Sequence, residues 1–193
     1  MASVNLLDEN LLLWNKFRNG DADAFGELMH AHYQDLFNYG TRFTKDTGLV
    51  KDCIQDLFLT LWLNRLTVSE TSFVKYDLLR SLRHNLTRTV SRSRRAVEPQ
   101  FEYLFNCPPS IGSSLIREER LADLARKMRR SLAGLSRRQQ EVIYLRFHMD
   151  AYAEDIAGIM SLSSQSVQNL LNDALHRLRK VRKFIFTNVN RRL

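Results

Sequence analysis

Residues 153–171 read AEDIAGIMSLSSQSVQNLL, two short helical segments separated by a tight turn. Apolar or small residues recur at helical spacing on both sides of the turn, so one helix can pack steeply across the other. Ala157 falls at the expected crossing point, where a larger side chain would hold the helices apart. In the turn, residues 161–163, Ser163 is positioned to cap the second helix by accepting from the backbone N–H of Ser166. The pattern predicts a helix-turn-helix.

The second of these helices has an outward face rich in amides. Asn and Gln side chains can form paired hydrogen bonds with the major-groove edge of adenine, so this face has the chemistry for base reading. Such a motif alone indicates DNA reading no more strongly than ordinary helix packing. Here the helix runs on into basic residues suited to phosphate contact. The candidate DNA-binding residues of this motif are Ser164, Gln165, Gln168, Asn169, Asn172, Arg177, Arg179 and Lys180.

The segment before the motif, residues 132–147 (LAGLSRRQQEVIYLRF), predicts a further helix that is capped at Ser136 and covers the motif with apolar side chains. These two stretches, followed by ALHRLRK at 174–180, resemble region 4 of the bacterial sigma factors, in the small extracytoplasmic-function group. The resemblance implies contact with the upstream, minus-35 promoter element.

Composition supports a helical chain with a polyanionic partner. The 193 residues include only seven glycines and three prolines, and helix formers dominate, which favours an all-α fold. The net charge is +8, and residues 71–97 alone hold seven basic residues and one acid. We predict two small helical domains, over residues 1–97 and 115–193, joined by a Pro-containing linker at 98–114.

Several classes of function are disfavoured by the sequence. Cys53 and Cys107 form no ligand cluster and fit a reducing compartment. His30 and His32, two apart on a helix, face different ways, and neither a Gly-rich phosphate loop nor metal-ligand spacing occurs. No signal-peptide pattern or membrane-length apolar run is present. We therefore expect a cytoplasmic protein that is not an enzyme and that needs neither cofactor nor metal.

In the first half, a long helix is expected to follow a cap at Asp21 or Asp23. Its apolar residues keep helical spacing, and we interpret them as ordinary core without a functional role. They are Phe25, Leu28, Met29, Tyr33, Leu36, Phe37 and Phe43.

Residues 49–63, LVKDCIQDLFLTLWL, predict a helix with two different faces. One carries a sufficient core stripe, and the other mixes acids with exposed apolar residues, as protein-binding faces do. The alternative is a helix buried all round, with its acids at the solvated N-terminal end. Residues 52–62 resemble region 2.2 of the sigma factors, which implies binding to the coiled coil of the large RNA polymerase subunit. The resemblance gives as polymerase-binding candidates Asp52, Gln55, Asp56, Leu59 and Trp62.

Residues 73–96, FVKYDLLRSLRHNLTRTVSRSRRA, predict an arginine-rich helix with one apolar side. Such a run is usually a solvated face, but uncompensated like charges destabilise a helix, so a phosphate partner explains this one better. Tyr76 could also stack on an unpaired base. The resemblance places this helix in regions 2.3 to 2.4, which open the duplex and hold the minus-10 element. The DNA-binding candidates here are Tyr76, Arg80, Arg83, His84, Asn85, Arg88, Arg92, Arg94 and Arg95.

The chain departs from the family pattern at three places. Ser161 stands in the turn where Gly is usual, so a positive φ there would be strained. Thr89 stands at the usual Asp of region 2.4, and Tyr76 where a tryptophan is often found. The recognition helix also lacks the family's basic residues, with Gln168, Asn169, Asn172 and Asp173 in their place.

The sequence thus favours an extracytoplasmic-function sigma factor, with core RNA polymerase and promoter DNA as partners and room for an anti-sigma factor. The alternative is a helix-turn-helix regulator whose first domain senses a ligand or dimerises. An acidic-apolar helix followed by an arginine-rich one discriminates between them, because a simple regulator needs neither.

Overall fold

The computed structural model describes residues 11–71, 73–92, 126 and 130–190. Within these ranges the chain forms helices and turns without a strand, which confirms the predicted all-α class. None of these helices has the length and hydropathy needed to cross a membrane. The helices are α1 (11–18), α2 (Ala22–Gly40), α3 (Thr47–Leu63), α4 (Val74–Arg92), α5 (Arg137–Phe147), α6 (Ala153–Met160) and α7 (Ser164–Asn190).

The first compact unit contains α1 to α4. Helices α2, α3 and α4 pack against one another in all three pairings, because each presents an apolar stripe at helical spacing. Burying these side chains supplies the main stabilisation, about 1.5–3 kcal/mol for each fully buried large apolar residue. The largest fully buried side chains of this unit are Trp14, Phe17, Leu28, Leu36, Tyr39, Ile54, Leu79, Leu82 and Leu86.

Side-chain caps set the starts of α2 and α3. Asp21 accepts from the backbone N–H groups of Asp23 and Ala24, both at 3.0 Å, and so is the cap of α2. Asp46 accepts from the N–H of Leu49 at 3.0 Å, which starts α3 at Thr47, two residues before the predicted boundary.

The C-terminal end of α2 comes very close to α3. A Cβ added to Gly40 would lie 2.5 Å from Cγ1 of Val50, well inside van der Waals contact. Both residues are buried. The absence of a side chain at Gly40 therefore permits the close packing of these two helices.

The second compact unit contains α5, residues 153–157 of α6, and α7, with α5 packed on α7. Ser136 caps α5 as predicted, and Gln139 completes a capping box by accepting from the backbone N–H of Ser136 at 3.0 Å. Tyr144, Leu145 and Val167 are fully buried in the core of this unit. The predicted linker at 98–114, including Cys107, lies outside the described residues.

Candidate functional surfaces

The acidic side of α3 is exposed, which excludes the interpretation of a helix buried all round. Asp52, Gln55 and Asp56 are exposed, and Leu59 keeps 56% of its surface accessible among them. Neither carboxylate forms a salt bridge with a described residue. The charges of this face are therefore available to a partner, and they are interleaved with apolar surface.

Trp62 lies differently from the other four polymerase-binding candidates, because it is half-buried. Its ring centroid lies 5.0 Å from that of Phe25 and 6.3 Å from that of Phe17. The guanidinium carbon of Arg65 sits 4.7 Å from the ring centroid, a cation–π contact. Trp62 thus joins α3 to α1 and α2 while one edge stays accessible.

That accessible edge forms part of a groove of about 590 Å³ between α2 and α3. Its walls are mainly apolar, and Lys51 and Gln55 stand at its polar side. A concave apolar surface beside exposed acids has the shape and chemistry of a site for a partner helix. The groove is lined by Ala22, Phe25, Met29, Tyr33, Lys51, Ile54, Gln55, Phe58, Leu59 and Trp62.

Three of these wall residues were assigned by sequence to the core without a function. That assignment was incomplete: Tyr33 is 39% exposed, and Phe25 and Met29 are only half-buried. They follow one another at intervals of four on α2, as do the buried Leu28, His32 and Leu36. Because the two rows share one period, spacing alone could not separate the groove wall from the core.

The solvent side of α4 carries an unneutralised row of cations. Arg80, Arg88 and Arg92 are exposed and form no salt bridge with a described residue. Together with His84, they are spaced four residues apart, so the row runs along the helix. The one acid of this helix, Asp77, lies in its first turn. The surface is suited to a polyanion.

The remaining minus-10 candidates occupy less open positions. Arg83 and Asn85 are half-buried, and Tyr76 stacks on Phe73 with ring centroids 6.3 Å apart and planes inclined by 15°. Phe73 is itself 55% exposed, so the stacked pair presents an aromatic surface beside the cationic row. Arg94 and Arg95 lie outside the described residues.

Thr89, which replaces the usual acid of region 2.4, lies near a buried thiol. Its hydroxyl oxygen is 4.0 Å from Sγ of Cys53. Burial raises the pKa of the Cys53 thiol, an effect that the contact with Thr89 partly opposes. The Cys53 side chain is therefore packed as a small apolar core residue.

The turn of the helix-turn-helix has the geometry that the sequence predicts. Oγ of Ser163 accepts from the backbone N–H of Ser166 at 3.2 Å and caps α7. Ser161 has a φ of 54°, the left-handed conformation anticipated for a position where Gly is usual. Asp150, before α6, has a φ of 55° and was not singled out by the sequence. Both are strained relative to glycine.

Helix α7 separates a buried side from a polar side. Val167, Leu171 and Ala174 are buried. The amide nitrogen of Gln165 donates to the amide oxygen of Asn169 at 3.1 Å, a contact that sequence reasoning did not anticipate. The side chain of Lys180 lies outside the described part of the structure. The other candidates of this helix are all exposed: Ser164, Gln165, Gln168, Asn169, Asn172, Arg177 and Arg179.

The described residues hold no group of three or more His, Cys, Asp or Glu side chains arranged to bind a metal. His30 is exposed and His32 is buried, so the two point apart as expected. Burial lowers the pKa of His32, and the charge of Lys75 lowers it further.

Comparison with known proteins places these surfaces in context. Residues 131–180 match the family model described as Sigma-70, region 4. The solved structure of CnrH in complex with the cytosolic domain of CnrY is similar, with a TM-score of 0.61 and 21% identity, over 91% of this chain and 97% of that one.

A second similar structure is the sigma factor RpoE in complex with the anti-sigma factor NepR, from Bartonella quintana. Its TM-score is 0.56 and its identity 19%, with 82% of this chain and 96% of that chain covered. No curated protein sequence gives a significant match. At these identities the structural likeness concerns the fold, and the family model matches residues 131–180.

Proposed function

We propose that this chain, whose residues 131–180 match the model of Sigma-70, region 4, is a sigma factor of the extracytoplasmic-function type. In this role it directs core RNA polymerase to specific promoters and initiates transcription there. The observation that carries the proposal is the pairing of two surfaces within one unit. Helix α3 exposes acids beside an apolar groove, and α4 exposes cations without acidic partners.

The groove and the acidic face of α3 are proposed as the polymerase-binding surface. A helix of the partner would lay its apolar side chains between α2 and α3 and turn basic residues toward Asp52 and Asp56. Trp62 would then be partly covered on both sides, by Phe25 within the unit and by the partner. Buried aromatic residues at the centre of an interface commonly carry much of its binding energy.

Helix α4 is proposed to hold the minus-10 element. Its exposed arginines would follow the phosphates of one strand, and the stacked pair of Phe73 and Tyr76 would offer a platform to an unpaired base. The exposed His84, within the same row, would contribute a base or phosphate contact. A row of cations without acids is unfavourable by itself, and bound DNA would relieve the repulsion.

Helix α7 is proposed to read the minus-35 element in the major groove. The exposed amides would contact base edges, while Arg177 and Arg179 further along would contact phosphate. Since the amide face has no basic residue, the second unit alone should bind DNA modestly. Polymerase would supply the rest of the affinity by holding both units on one promoter.

The proposed division of labour assigns polymerase and minus-10 binding to residues 1–97, connection to 98–114 and minus-35 binding to 115–193. The protein would work in the cytoplasm, without a cofactor and without catalysis of its own. An anti-sigma factor is a third proposed partner, supported by the RpoE structure, which contains one.

A direct test is binding of the full chain to core RNA polymerase. Wild type is expected to form holoenzyme, and Asp56→Arg to weaken it at least tenfold by placing a cation against basic partner residues. Glu27→Arg makes the same charge change at an exposed α2 position outside the groove, and it should bind like wild type. A helix-turn-helix regulator would not bind core enzyme, and that result would contradict the proposal.

A further inference from the structure

The amide face of α7 contains one contact that bears on how bases are read. Gln165 and Asn169 lie one helical turn apart, and both are exposed. The amide nitrogen of Gln165 donates to Oδ1 of Asn169 at 3.1 Å. Pairs of this kind, four residues apart, favour one side-chain conformation over the several that an isolated amide samples.

Gln165 lies in the first turn of α7, whose start is fixed by two contacts of Ser163. Besides accepting from the N–H of Ser166, the Ser163 hydroxyl is 2.8 Å from that of Ser166. The N-terminal residues of a recognition helix are the ones that reach base edges. Backbone position and side-chain orientation are therefore both set for Gln165 before any DNA is bound.

We infer that Asn169 is a positioning residue for Gln165. Its Oδ1 accepts from the Gln165 amide nitrogen, which leaves Gln165 Oε1 available to accept from a base. A base donor, N6 of adenine or N4 of cytosine, is the complement of that oxygen. This inference rests on the proposed function. It adds that the Gln165 and Asn169 side chains together read one base pair, rather than one base pair each.

Gln168 differs from Gln165 in its side-chain contacts. Gln168 is also exposed on α7, but it has no corresponding hydrogen bond to a neighbouring side chain among the described contacts. It would read its base pair independently. A pre-organised side chain loses less conformational freedom on binding, so removing its support should lower discrimination without removing the contact itself.

The test uses holoenzyme made with the full chain and a promoter library randomised through the upstream element, with transcript abundance giving the base preference at each position. Gln165→Ala should reduce preference at one base pair roughly fivefold or more, the lower end of what one good amide contact supplies. Asn169→Ala should reduce preference at the same base pair by about two- to threefold, and should add nothing when combined with Gln165→Ala. Gln168→Ala should change a different base pair.

Asn169→Asp provides the matched control, because its carboxylate still accepts from the Gln165 amide. It should lower overall output through repulsion of phosphate and leave the preference at that base pair near wild type. The inference is overturned if Asn169→Ala changes a base pair that Gln165→Ala does not, if the two effects add, or if Asn169→Asp matches Asn169→Ala. If one of these outcomes is found while the wild-type holoenzyme is active, only the inference fails and the proposed function is unaffected. If the wild-type chain supports no sequence-dependent initiation, the proposed function itself is contradicted.

Discussion

The ring of Trp62 lies 5.0 Å from the ring of Phe25, centroid to centroid, with the planes inclined by 39°. The contact joins α3 to α2 at the floor of the groove proposed for polymerase. Trp62 thus serves both the fold and the interface. Substitutions here must separate these roles.

Trp62→Ala should lower both stability and polymerase binding. We expect a loss of about 2 kcal/mol in the free energy of unfolding, below the roughly 3–5 kcal/mol of a fully buried aromatic, because the ring is half-buried. Denaturant unfolding of the full chain measures this loss of free energy.

The matched control is Leu63→Ala, at a neighbouring side chain that is 68% exposed. Its free energy of unfolding should stay within about 0.5 kcal/mol of wild type. If Trp62→Ala also proves neutral, the aromatic contacts with Phe25 and Phe17 are not stabilising the first unit.

Ser161→Gly should stabilise the helix-turn-helix. A non-glycine residue in the left-handed region costs about 1–2 kcal/mol, and glycine loses part of that gain through its greater freedom when unfolded. We expect a net gain of about 0.5–1 kcal/mol for Ser161→Gly. Thermal unfolding of the full chain measures this change in stability. Ser161→Ala, which keeps a Cβ, should give no gain in stability in the same measurement.

Protonation of His32 should destabilise the first unit. Its pKa is lowered in the folded state, mainly by burial, so between the folded pKa and the unfolded value near 6.5 the unfolded chain binds more protons. Stability from this group is complete above pH 6.5 and is lost as pH falls through 6.5 toward the folded pKa. Lys75, paired with Asp35 at 2.8 Å, adds to the repulsion of an imidazolium.

Stability measured from pH 7.5 to 5.5 tests this expectation. His32→Leu should flatten the dependence, and His30→Gln, at an exposed position, should leave it as in wild type. An equally steep loss in His32→Leu would assign the effect to other groups.

Arg88→Ala should weaken promoter binding by the holoenzyme at all sequences alike. If Arg88 contacts one phosphate, the slope of log affinity against log salt should fall in magnitude by about 1, with base preference unchanged. Ser91→Ala, an uncharged change at an exposed neighbour on the same helix, should leave both affinity and salt dependence as in wild type. A change of base preference in Arg88→Ala would instead indicate direct base contact.

The sequence predicted most of the fold because its local patterns agree with the packing. The cap at Ser136, the turn around Ser161 and the inward row of α4 are all short-range features. The start of α3 was placed two residues late because Asp46 was not recognised as its cap. The predicted linker and Arg94 and Arg95 lie outside the described residues and stay predictions.

The candidate surfaces were less predictable where they depend on contacts between elements. Spacing placed Trp62 among the acids of α3, but only packing against Phe25 shows that it is half-buried. The residues of α2 that line the groove are spaced like its core residues. The sequence therefore gave no sign that Tyr33 is exposed in the groove. The bond between Gln165 and Asn169 depends on rotamers, which a residue pattern does not specify.

The central claim is that this chain makes core RNA polymerase specific for promoters. The most direct measurement is transcription from a genomic DNA library by core enzyme freed of other sigma factors, with and without the full chain. We expect new transcripts with defined start sites that share two upstream elements, and we expect Asp56→Arg to abolish them. Absence of any start site that depends on the added chain, despite folded protein and active core enzyme, would contradict it.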